Sequence, residues 1–322
     1  MQLRYTLRQL EYFVAVGETG SIAAASQQVN VSSPSISAGI SQLEDELGVK
    51  LFVRHHAQGL TPTLAGHKLL DQAQTVLRQA GALRDLASDL SGRVRGPLAI
   101  GCLSTFAQVV LPGLRRSFVG QYPEVRVTQV ECDQAELFSL LRQAKIDLAL
   151  TYDLCLPKDL QFTPMIELPP LVALGTEHPL AHLPEITVQE LAGYPMVLLD
   201  LPLSSDYFLS FFSNENLRAN VVERTRDVAV MRSLVANGFG YSIVNVRPMH
   251  DVAPDGNPMK FVPLAGRQRA MKLGLLMTRG VDRSRLHRTF IDSAQDWIRA
   301  QQVRWHGQIV RGGDKRITHV PG

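Results

Sequence analysis

Long apolar runs are absent from this 322-residue sequence, in which 45% of the residues are hydrophobic and 20% are charged. No run approaches the roughly 18 residues that a membrane span requires, so the composition is that of a globular protein. The N-terminal segment MQLRYTLRQLEYF carries scattered charges and no small-residue cleavage site, so we expect no secretory signal. These absences predict a chain that acts in the cytoplasm and has no membrane partner.

Cysteine is scarce as well, with Cys102, Cys132 and Cys155 as its three occurrences. An odd number without C-x-x-C spacing excludes a disulfide framework and a zinc ribbon. The adjacent His55 and His56 would point to opposite faces of a strand, which disfavours a metal site there. We therefore expect three reduced, partly buried thiols, no metal and no cofactor.

Net charge is small, at +3, and gives little indication of a nucleic-acid partner. Residues 1–96 hold nine Lys or Arg and eight Asp or Glu, so this part of the chain is close to neutral. A DNA-binding role must therefore rest on the pattern of residues rather than on charge.

Three short segments of helical periodicity open the chain. Thr6 and Gln9 have the spacing of a capping box, and apolar residues follow at intervals of three and four. Ser21 can cap a short alanine-rich helix, and Pro34 suits the first turn of a third helix that ends at Gly48. Alternating residues at 49–53, a Gln-Gly turn at 58–59 and a return strand from residue 60 then predict a β-hairpin. Residues 1–62 are thus assigned as a winged helix-turn-helix.

Residues 63–90 predict one long helix, followed by a hinge that ends at residue 96. Large apolar residues recur every seven positions along it, and alanines recur with the same period at an offset of four. One helix cannot bury such a seam alone, so we favour a dimerising coiled coil over an ordinary helix packed on its own domain. The residues assigned to the dimer contact are Leu69, Ala73, Val76, Ala80, Leu83 and Leu90.

From residue 97 onward, short apolar runs alternate with helical stretches. This alternation predicts parallel sheets covered by helices, in two linked α/β lobes with a ligand cleft between them. Nine strands are predicted, none of them between Tyr152 and Leu171, and the first helix is placed at residues 108–121. Lobe I is assigned to about 97–168 and 266–301, and lobe II to about 169–265. A Gly-rich, basic tail at 302–322 is expected to be disordered.

Residues 7–66 strongly resemble the DNA-binding domain of the LysR-type transcriptional regulators. The residues that carry the resemblance are Phe13, Gly20, Ser21, Ala24, Ala25, Pro34, Ser37, Ile40, Leu43, Glu44, Leu47, Gly48, Leu51, Phe52, Arg54, Leu60, Thr61, Pro62 and Gly66. The heptad helix is similar to the linker helix of this family, and the two lobes are similar to its periplasmic-binding-protein-like effector domain. The resemblance implies double-stranded promoter DNA, a small effector, RNA polymerase and further copies of the chain as partners, in a homodimer or homotetramer.

The third helix of such a domain enters the major groove and reads base edges near its N-terminus. Hydroxyls dominate that segment here, where the family often has Gln, Arg or His, so the operator sequence cannot be read from it. A solvated turn is the alternative reading of the basic wing residues. The predicted DNA contacts are Ser32, Ser33, Pro34, Ser35, Ser37, Ser41, Arg54 and His55.

The segment from Gly101 to Phe106 follows a strand and opens a helix, whose free N–H groups suit a carboxylate. Simple N-capping by Ser104 or Thr105 is the alternative. Other polar residues follow strands at the same expected rim, and the family places effector contacts in these loops. The predicted effector-binding residues are Ser104, Thr105, Phe106, Asp133, Thr151, Pro202, Ser204, Ser205 and Asp227.

Three other functions fit the sequence less well. An enzyme with Cys102 as its nucleophile lacks a histidine at a comparable strand end, and no Gly-rich phosphate loop occurs. A solute-binding protein for transport would fit the two lobes but not the helix-turn-helix or the missing export signal. A thiol sensor would need Cys102 and Cys132 to be accessible and perturbed. The sequence therefore predicts a ligand-responsive transcriptional regulator without enzymatic activity.

Overall fold

The computed structural model describes residues 4–55, 59–90, 92–279 and 284–306. The chain divides into two compact units, Met1–Arg93 and Val94–Gly322. The division falls three residues before the assigned start of the effector domain. Among the described residues, none of the helices combines the length and the apolar composition needed to span a bilayer.

The first unit holds four helices and one hairpin. Its elements are α1 (Leu7–Thr19), α2 (Ile22–Val29), α3 (Ser33–Leu47), β1 (Phe52–His55), β2 (Gly59–Pro62) and α4 (Leu64–Leu90). The predicted capping box is present, because Thr6 Oγ1 accepts from the Gln9 N–H at 3.2 Å and Gln9 Oε1 accepts from the Thr6 N–H at 2.7 Å. Gly20 and Gly48 end α1 and α3 in the left-handed conformation. The predicted winged helix-turn-helix fold is confirmed.

The core of this unit forms where α1, α3 and the start of the wing meet. Phe13, Val16 and Leu43 are almost fully buried, and the rings of Phe13 and Phe52 meet edge to face at 5.4 Å. The wing is fixed to the helices because the Leu60 N–H donates to the Gly20 carbonyl at 2.8 Å. Gly59 permits this approach, since a Cβ there would lie 2.5 Å from the Gly20 carbonyl oxygen.

Glu44 connects the third helix to the wing. Its carboxylate is buried and accepts hydrogen bonds from the backbone N–H groups of Leu51 at 2.8 Å and Phe52 at 3.4 Å. Lys50 Nζ lies 2.6 Å from the other carboxylate oxygen. Burial opposes ionisation, but the hydrogen bonds from Lys50 and from the two backbone groups hold the pKa of Glu44 below its ordinary value. The ionised side chain therefore sets the angle between α3 and the wing.

The second unit alternates strands and helices. Its elements are β3 (Gly96–Leu103), α5 (Ser104–Gln121), β4 (Val125–Cys132), α6 (Gln134–Arg142), β5 (Leu148–Tyr152), β6 (Leu160–Leu168), β7 (Leu171–Gly175), α7 (Val188–Leu191), β8 (Pro195–Leu199), α8 (Ser204–Ser213), β9 (Asn220–Thr225), α9 (Val228–Ala236), β10 (Ser242–Val244), β11 (Met259–Pro263), β12 (Met271–Thr278) and α10 (Arg285–His306).

Two sheets with the same strand arrangement form the two lobes. The first has the order β4-β3-β5-β12-β6, with β3 parallel to its two neighbours and β12 antiparallel to both of its own. In the second, β8 pairs with β9 in parallel, a bridge between Met196 and Tyr241 joins β8 to β10, and β7 lies antiparallel between β10 and β11. The order β9-β8-β10-β7-β11 thus repeats that of the first lobe. The chain crosses between the lobes after β6 and again after β11.

The sheets correct the prediction of purely parallel pairing. Each lobe contains one antiparallel strand, β12 in the first and β7 in the second, because the chain crosses to the other lobe and returns. Strand β6 was not predicted, since it contains Pro164 and many partly exposed residues. Proline is tolerated there because β6 is an edge strand, with an irregular register opposite Gly274.

Two helix boundaries also differ from the prediction. Helix α5 begins at Ser104 rather than at the predicted Gln108. The prediction missed this start because the N-cap residue is Leu103, whose side chain cannot cap a helix and so gives no start signal in the sequence. Helix α10 runs to His306, so residues 302–306 are helical and not part of a disordered tail. Residues 307–322 lie outside the described residues.

Candidate DNA-binding surface and effector cleft

Helix α3 exposes a row of small polar side chains. Its opposite face is buried through Ile36, Ile40 and Leu43. Of the predicted contacts, Ser32, Pro34, Ser35 and Ser41 are exposed, while Ser33 and Ser37 are half-buried. The hydroxyls of Ser32 and Ser35 lie 2.8 Å apart, and no side chain caps the helix. The first-turn N–H groups of α3 thus have no side-chain cap, and free N–H groups at a helix start can bind a phosphate.

Gln42 is a polar residue of this face that the sequence reasoning missed. It is exposed, lies seven positions after Ser35, and its Oε1 accepts a hydrogen bond from Gln9 Nε2 at 3.0 Å. The helical spacing of Gln42 from the serines would have been enough to predict that it lies on this face. An amide can pair with an adenine edge in a bidentate manner, which a hydroxyl cannot do.

The wing strands pair in register, with Arg54 opposite Leu60 and His55 opposite Gly59. The side chains of Arg54 and His55 lie outside the described part of the structure, as does that of Leu90. Their predicted roles in DNA contact and in the dimer seam stay predictions.

The predicted seam of α4 divides into two parts. Ala73 is 5% exposed and belongs to the core of its own unit, where Leu69 and Val76 also pack. The position of Ala73 does not support a role in a partner contact, because α1 covers this part of α4. Ala80 is half-buried, whereas Leu83 is 72% exposed. The second half of the helix thus presents the open apolar face.

In the effector unit, the helices that follow the central strands differ from their neighbours in capping. Helices α5 and α8 begin without a side-chain cap. By contrast, Asp133 caps α6 by accepting from the Glu136 N–H at 3.0 Å, and Asp227 caps α9 by accepting from the Ala229 N–H at 2.7 Å. At α8 the N–H groups of Ser204 and Ser205 donate to the Leu201 carbonyl instead. The first-turn N–H groups of α5 are therefore the ones open to an anion.

Two buried threonine hydroxyls lie near the start of α5. Among the described residues, Thr151 Oγ1 has no hydrogen-bond partner, and Thr105 Oγ1 has only a poorly aligned contact with the Tyr152 hydroxyl. Phe106 is fully buried, and its ring meets that of Tyr152 edge to face at 5.1 Å. Ser104 is half-buried. Neither Ser104 nor Thr105 serves as the N-cap, so simple capping does not account for them.

The equivalent loop of the second lobe is compact. Ser204 is buried, and the Ser205 hydroxyl donates to the Leu201 carbonyl at 3.2 Å. Pro202 is half-buried. Leu203 adopts a left-handed conformation with φ of 67°, which is uncommon for a residue with a branched side chain.

The rims of the two lobes meet across the cleft. Asp133 follows β4 and Arg226 follows β9, and Oδ2 of Asp133 lies 3.6 Å from Nη2 of Arg226. Phe106 of α5 and residues 245–247 after β10 line one small pocket with the first crossing segment, Leu168–Pro169. The strand ends that the sequence placed at a common rim thus belong to facing edges of two lobes.

A hydrogen-bond network ties both crossing segments to the lobes. Asn245 Nδ2 donates to the Leu168 carbonyl at 2.8 Å and to the Tyr207 hydroxyl at 3.2 Å. The Tyr207 hydroxyl in turn donates to the Arg269 carbonyl at 2.6 Å. The Arg269 guanidinium pairs with Asp153 at 2.8 Å. The network gives the hinge a defined geometry.

Two family models match the chain. The first, described as "Bacterial regulatory helix-turn-helix protein, lysR family", matches residues 7–67. The second, described as "LysR substrate binding domain", matches residues 91–299. The chain belongs to the LysR family of transcriptional regulators. The resemblance drawn from the N-terminal residues is confirmed.

Relatives and solved structures from the LysR family align with most of the chain. It is 30% identical to the regulator CysB of Haemophilus influenzae over 74% of this chain and 75% of the relative. It is 31% identical to a hydrogen peroxide-inducible genes activator of Escherichia coli over 74% and 78%. The crystal structure of HinK from Pseudomonas aeruginosa has a TM-score of 0.61 at 31% identity and covers 91% of this chain and 98% of that chain.

Two of the cysteines of this LysR-family regulator are poorly placed for redox sensing. Cys102 and Cys132 are buried, whereas Cys155 is exposed, so the prediction of three partly buried thiols is wrong for Cys155. Burial raises the pKa of Cys132 to about 12 and also raises that of Cys102. Because the thiolate is the reactive form, these positions do not favour the thiol-sensor alternative. The described residues contain no cluster of His, Cys, Asp or Glu able to hold a metal ion.

Proposed function

We propose that this LysR-type regulator responds to a small carboxylate bound between its two lobes at the amino end of α5. The observation that carries the proposal is the uncapped start of α5 beside two buried hydroxyls, that of Thr151, which has no hydrogen-bond partner among the described residues, and that of Thr105, which has only a poorly aligned contact with Tyr152. A buried hydroxyl without a partner costs free energy, so such groups favour a site that a ligand completes.

The electrostatics of the cleft favour an anion. A helix N-terminus carries a partial positive charge and free N–H donors. The Asp133 and Asp227 carboxylates already bind backbone N–H groups of α6 and α9, so they support the rims rather than the ligand. For so small a ligand we expect a Kd on the order of micromolar to millimolar.

Binding would act on transcription through the angle between the lobes. A ligand shifts this equilibrium only through its differential affinity for the open and closed states. The Asp133–Arg226 contact joins the two rims and is available to change with closure. In a homodimer or homotetramer, a change of lobe angle would alter how paired winged helices meet bent DNA. Its partners would then be promoter DNA, further copies of the chain and RNA polymerase.

The Thr105→Val substitution tests the effector site. Because Oγ1 makes only a poorly aligned contact with the Tyr152 hydroxyl, the variant should unfold at about the same temperature as the wild type. Carboxylate affinity should fall roughly tenfold or more, since a hydrogen bond to a charged group is worth about 1.5–3 kcal/mol. The measurement is a calorimetric screen of aromatic and short aliphatic acids against the full-length protein.

The exposed Thr128 of β4 offers a matched control, and Thr128→Val should bind as the wild type does. An acid that binds Ser104→Ala, Thr105→Val with unchanged affinity would contradict the site. A ligand that is cationic or wholly apolar would contradict the proposed carboxylate class, but it would not contradict the assignment of the chain as a transcriptional regulator.

We infer that DNA is contacted by the exposed face of α3 and by the wing. The Arg54→Ala variant should bind every duplex more weakly and lower the slope of log affinity against log salt by about one unit, because one phosphate contact is lost. Fluorescence anisotropy at several salt concentrations measures both, with the exposed Lys158 of the effector unit as the Lys158→Ala control. Unchanged affinity and slope in Arg54→Ala would remove the wing from the interface.

A further inference from the structure

The repeated strand order gives the hinge two equivalent recesses. The first lies between α5, the segment after β10 and the first crossing at Leu168–Pro169. The second lies between α8, the segment after β5 and the second crossing at residues 267–269. Since α5 and α8 follow equivalent strands, as do the segments after β5 and β10, the two recesses are counterparts within the fold.

The two recesses differ in size and chemistry. The first is small, and its lining is mostly apolar, with Val109, Val110 and Leu273 among its walls. The second, which we call the α8 recess, has a volume of about 390 Å³. That value lies within the range of about 300–1,000 Å³ typical of small-molecule sites. The α8 recess is lined by Leu154, Cys155, Leu203, Asp206, Tyr207, Ser210, Phe211, Asn214, Arg267, Gln268 and Arg269.

Part of the polar lining is held by internal hydrogen bonds. Arg269 pairs with Asp153, and its carbonyl accepts from Tyr207. The Ser210 hydroxyl donates to the Tyr207 carbonyl at 2.6 Å. These bonds fix the wall between α8 and the second crossing, so the recess has a defined shape before any ligand binds.

Two charges of opposite sign remain available in the α8 recess. Within the described part of the chain, neither Asp206 nor Arg267 forms an ion pair or a side-chain hydrogen bond, and both are exposed. The side chains of Leu203 and Phe211 supply apolar surface in the same recess. A guanidinium binds a carboxylate in a bidentate manner, and a carboxylate accepts from an ammonium group.

We propose that the α8 recess is a second ligand site, which takes a small zwitterion of the amino-acid class. Arg267 binds the carboxylate of the ligand, Asp206 accepts from its ammonium group, and its side chain packs on Leu203 and Phe211. This site is separate from the start of α5, and the proposal does not depend on the effector assigned there.

Occupancy of the α8 recess would influence the hinge. Its walls come from the loop after β5 in one lobe, from α8 in the other and from a segment that joins them. A zwitterion that fits one lobe angle better than another would change the affinity for a ligand in the main cleft, and the reverse change would be equal. The site thus offers the regulator a second metabolic input.

Calorimetry on the full-length protein tests the proposal, with the twenty common L-amino acids as probes. At least one should bind with a Kd on the order of micromolar to millimolar. Its N-acetyl and amide derivatives, which lack the ammonium or the carboxylate charge, should each bind at least tenfold more weakly. The variants Arg267→Gln and Asp206→Asn should show the same loss, while Thr105→Val and the exposed-site control Arg218→Gln should bind normally.

Three outcomes would overturn the proposal. The first is that no amino acid binds the wild type up to about 10 mM, roughly the weak limit of specific small ligands. The second is that binding survives both Arg267→Gln and Asp206→Asn. The third is that binding is lost in Thr105→Val but kept in Arg267→Gln, which would place the amino acid at α5. Because Asp206 and Arg267 are exposed, circular dichroism should show both variants folded.

Discussion

Replacing Leu83 by glutamate is expected to dissociate dimers of the full-length protein and to weaken operator binding on the order of 100-fold or more. Leu83 lies in the half of α4 that its own unit leaves open, with 72% of its surface exposed. In a dimer seam, a carboxylate at this position would be buried without a partner. Loss of the dimer also removes the gain from binding two half-sites together, which is commonly 10²–10⁴.

Sedimentation velocity and anisotropy on a two-half-site operator measure these effects. Leu64 provides the control, because it belongs to the same helix, is 78% exposed and lies outside the heptad positions. The Leu64→Glu protein should remain dimeric and bind the operator normally. If Leu83→Glu sediments as a dimer, the interface lies elsewhere on the molecule.

Replacing Glu44 by alanine is expected to destabilise the winged helix-turn-helix by about 3 kcal/mol. The substitution leaves the buried N–H groups of Leu51 and Phe52 without their acceptor, and an unsatisfied buried donor costs about 1–3 kcal/mol. The wing would lose its fixed angle to α3, so operator affinity should fall as well. Differential scanning calorimetry and anisotropy measure the two effects, with the exposed Glu46→Ala as control.

The same residue predicts a pH dependence. Its pKa in the folded state lies below the ordinary value of 4.5, so its stabilisation is complete above that value and is lost as the pH falls through the lowered folded pKa. The difference in melting temperature between wild type and Glu44→Ala should therefore be constant near neutral pH and shrink below pH 4.5. A difference that is absent at pH 7 would contradict the role of Glu44.

Local signals in the sequence predicted the first unit well. The capping box of Thr6 and Gln9, the glycine that ends α3 and the hairpin after it all depend on residues close together in the chain. The starts of α6 and α9 carry a local signal of the same kind, because an aspartate caps each of them. Helix α5 lacks such a residue, and its start was placed four residues late.

Contacts between distant residues were beyond the reach of sequence periodicity. Asn245 bonds to a carbonyl 77 residues away, and Arg269 bonds to Asp153 across 116 residues. The burial of Ala73 is of the same kind, because the heptad pattern of α4 shows an apolar face but not which surface covers it.

The sequence by itself determined the family, the winged helix-turn-helix, the long α4 helix and the presence of an α/β effector part. Each of these follows from spacing along the chain or from a run of matching residues. Only the tertiary structure decided that the sheets are mixed, that half of the α4 seam is covered and that Asp206 and Arg267 share a recess with a hinge segment. The reason is physical: periodicity records which face of an element avoids water, whereas the partner of that face depends on how the whole chain packs.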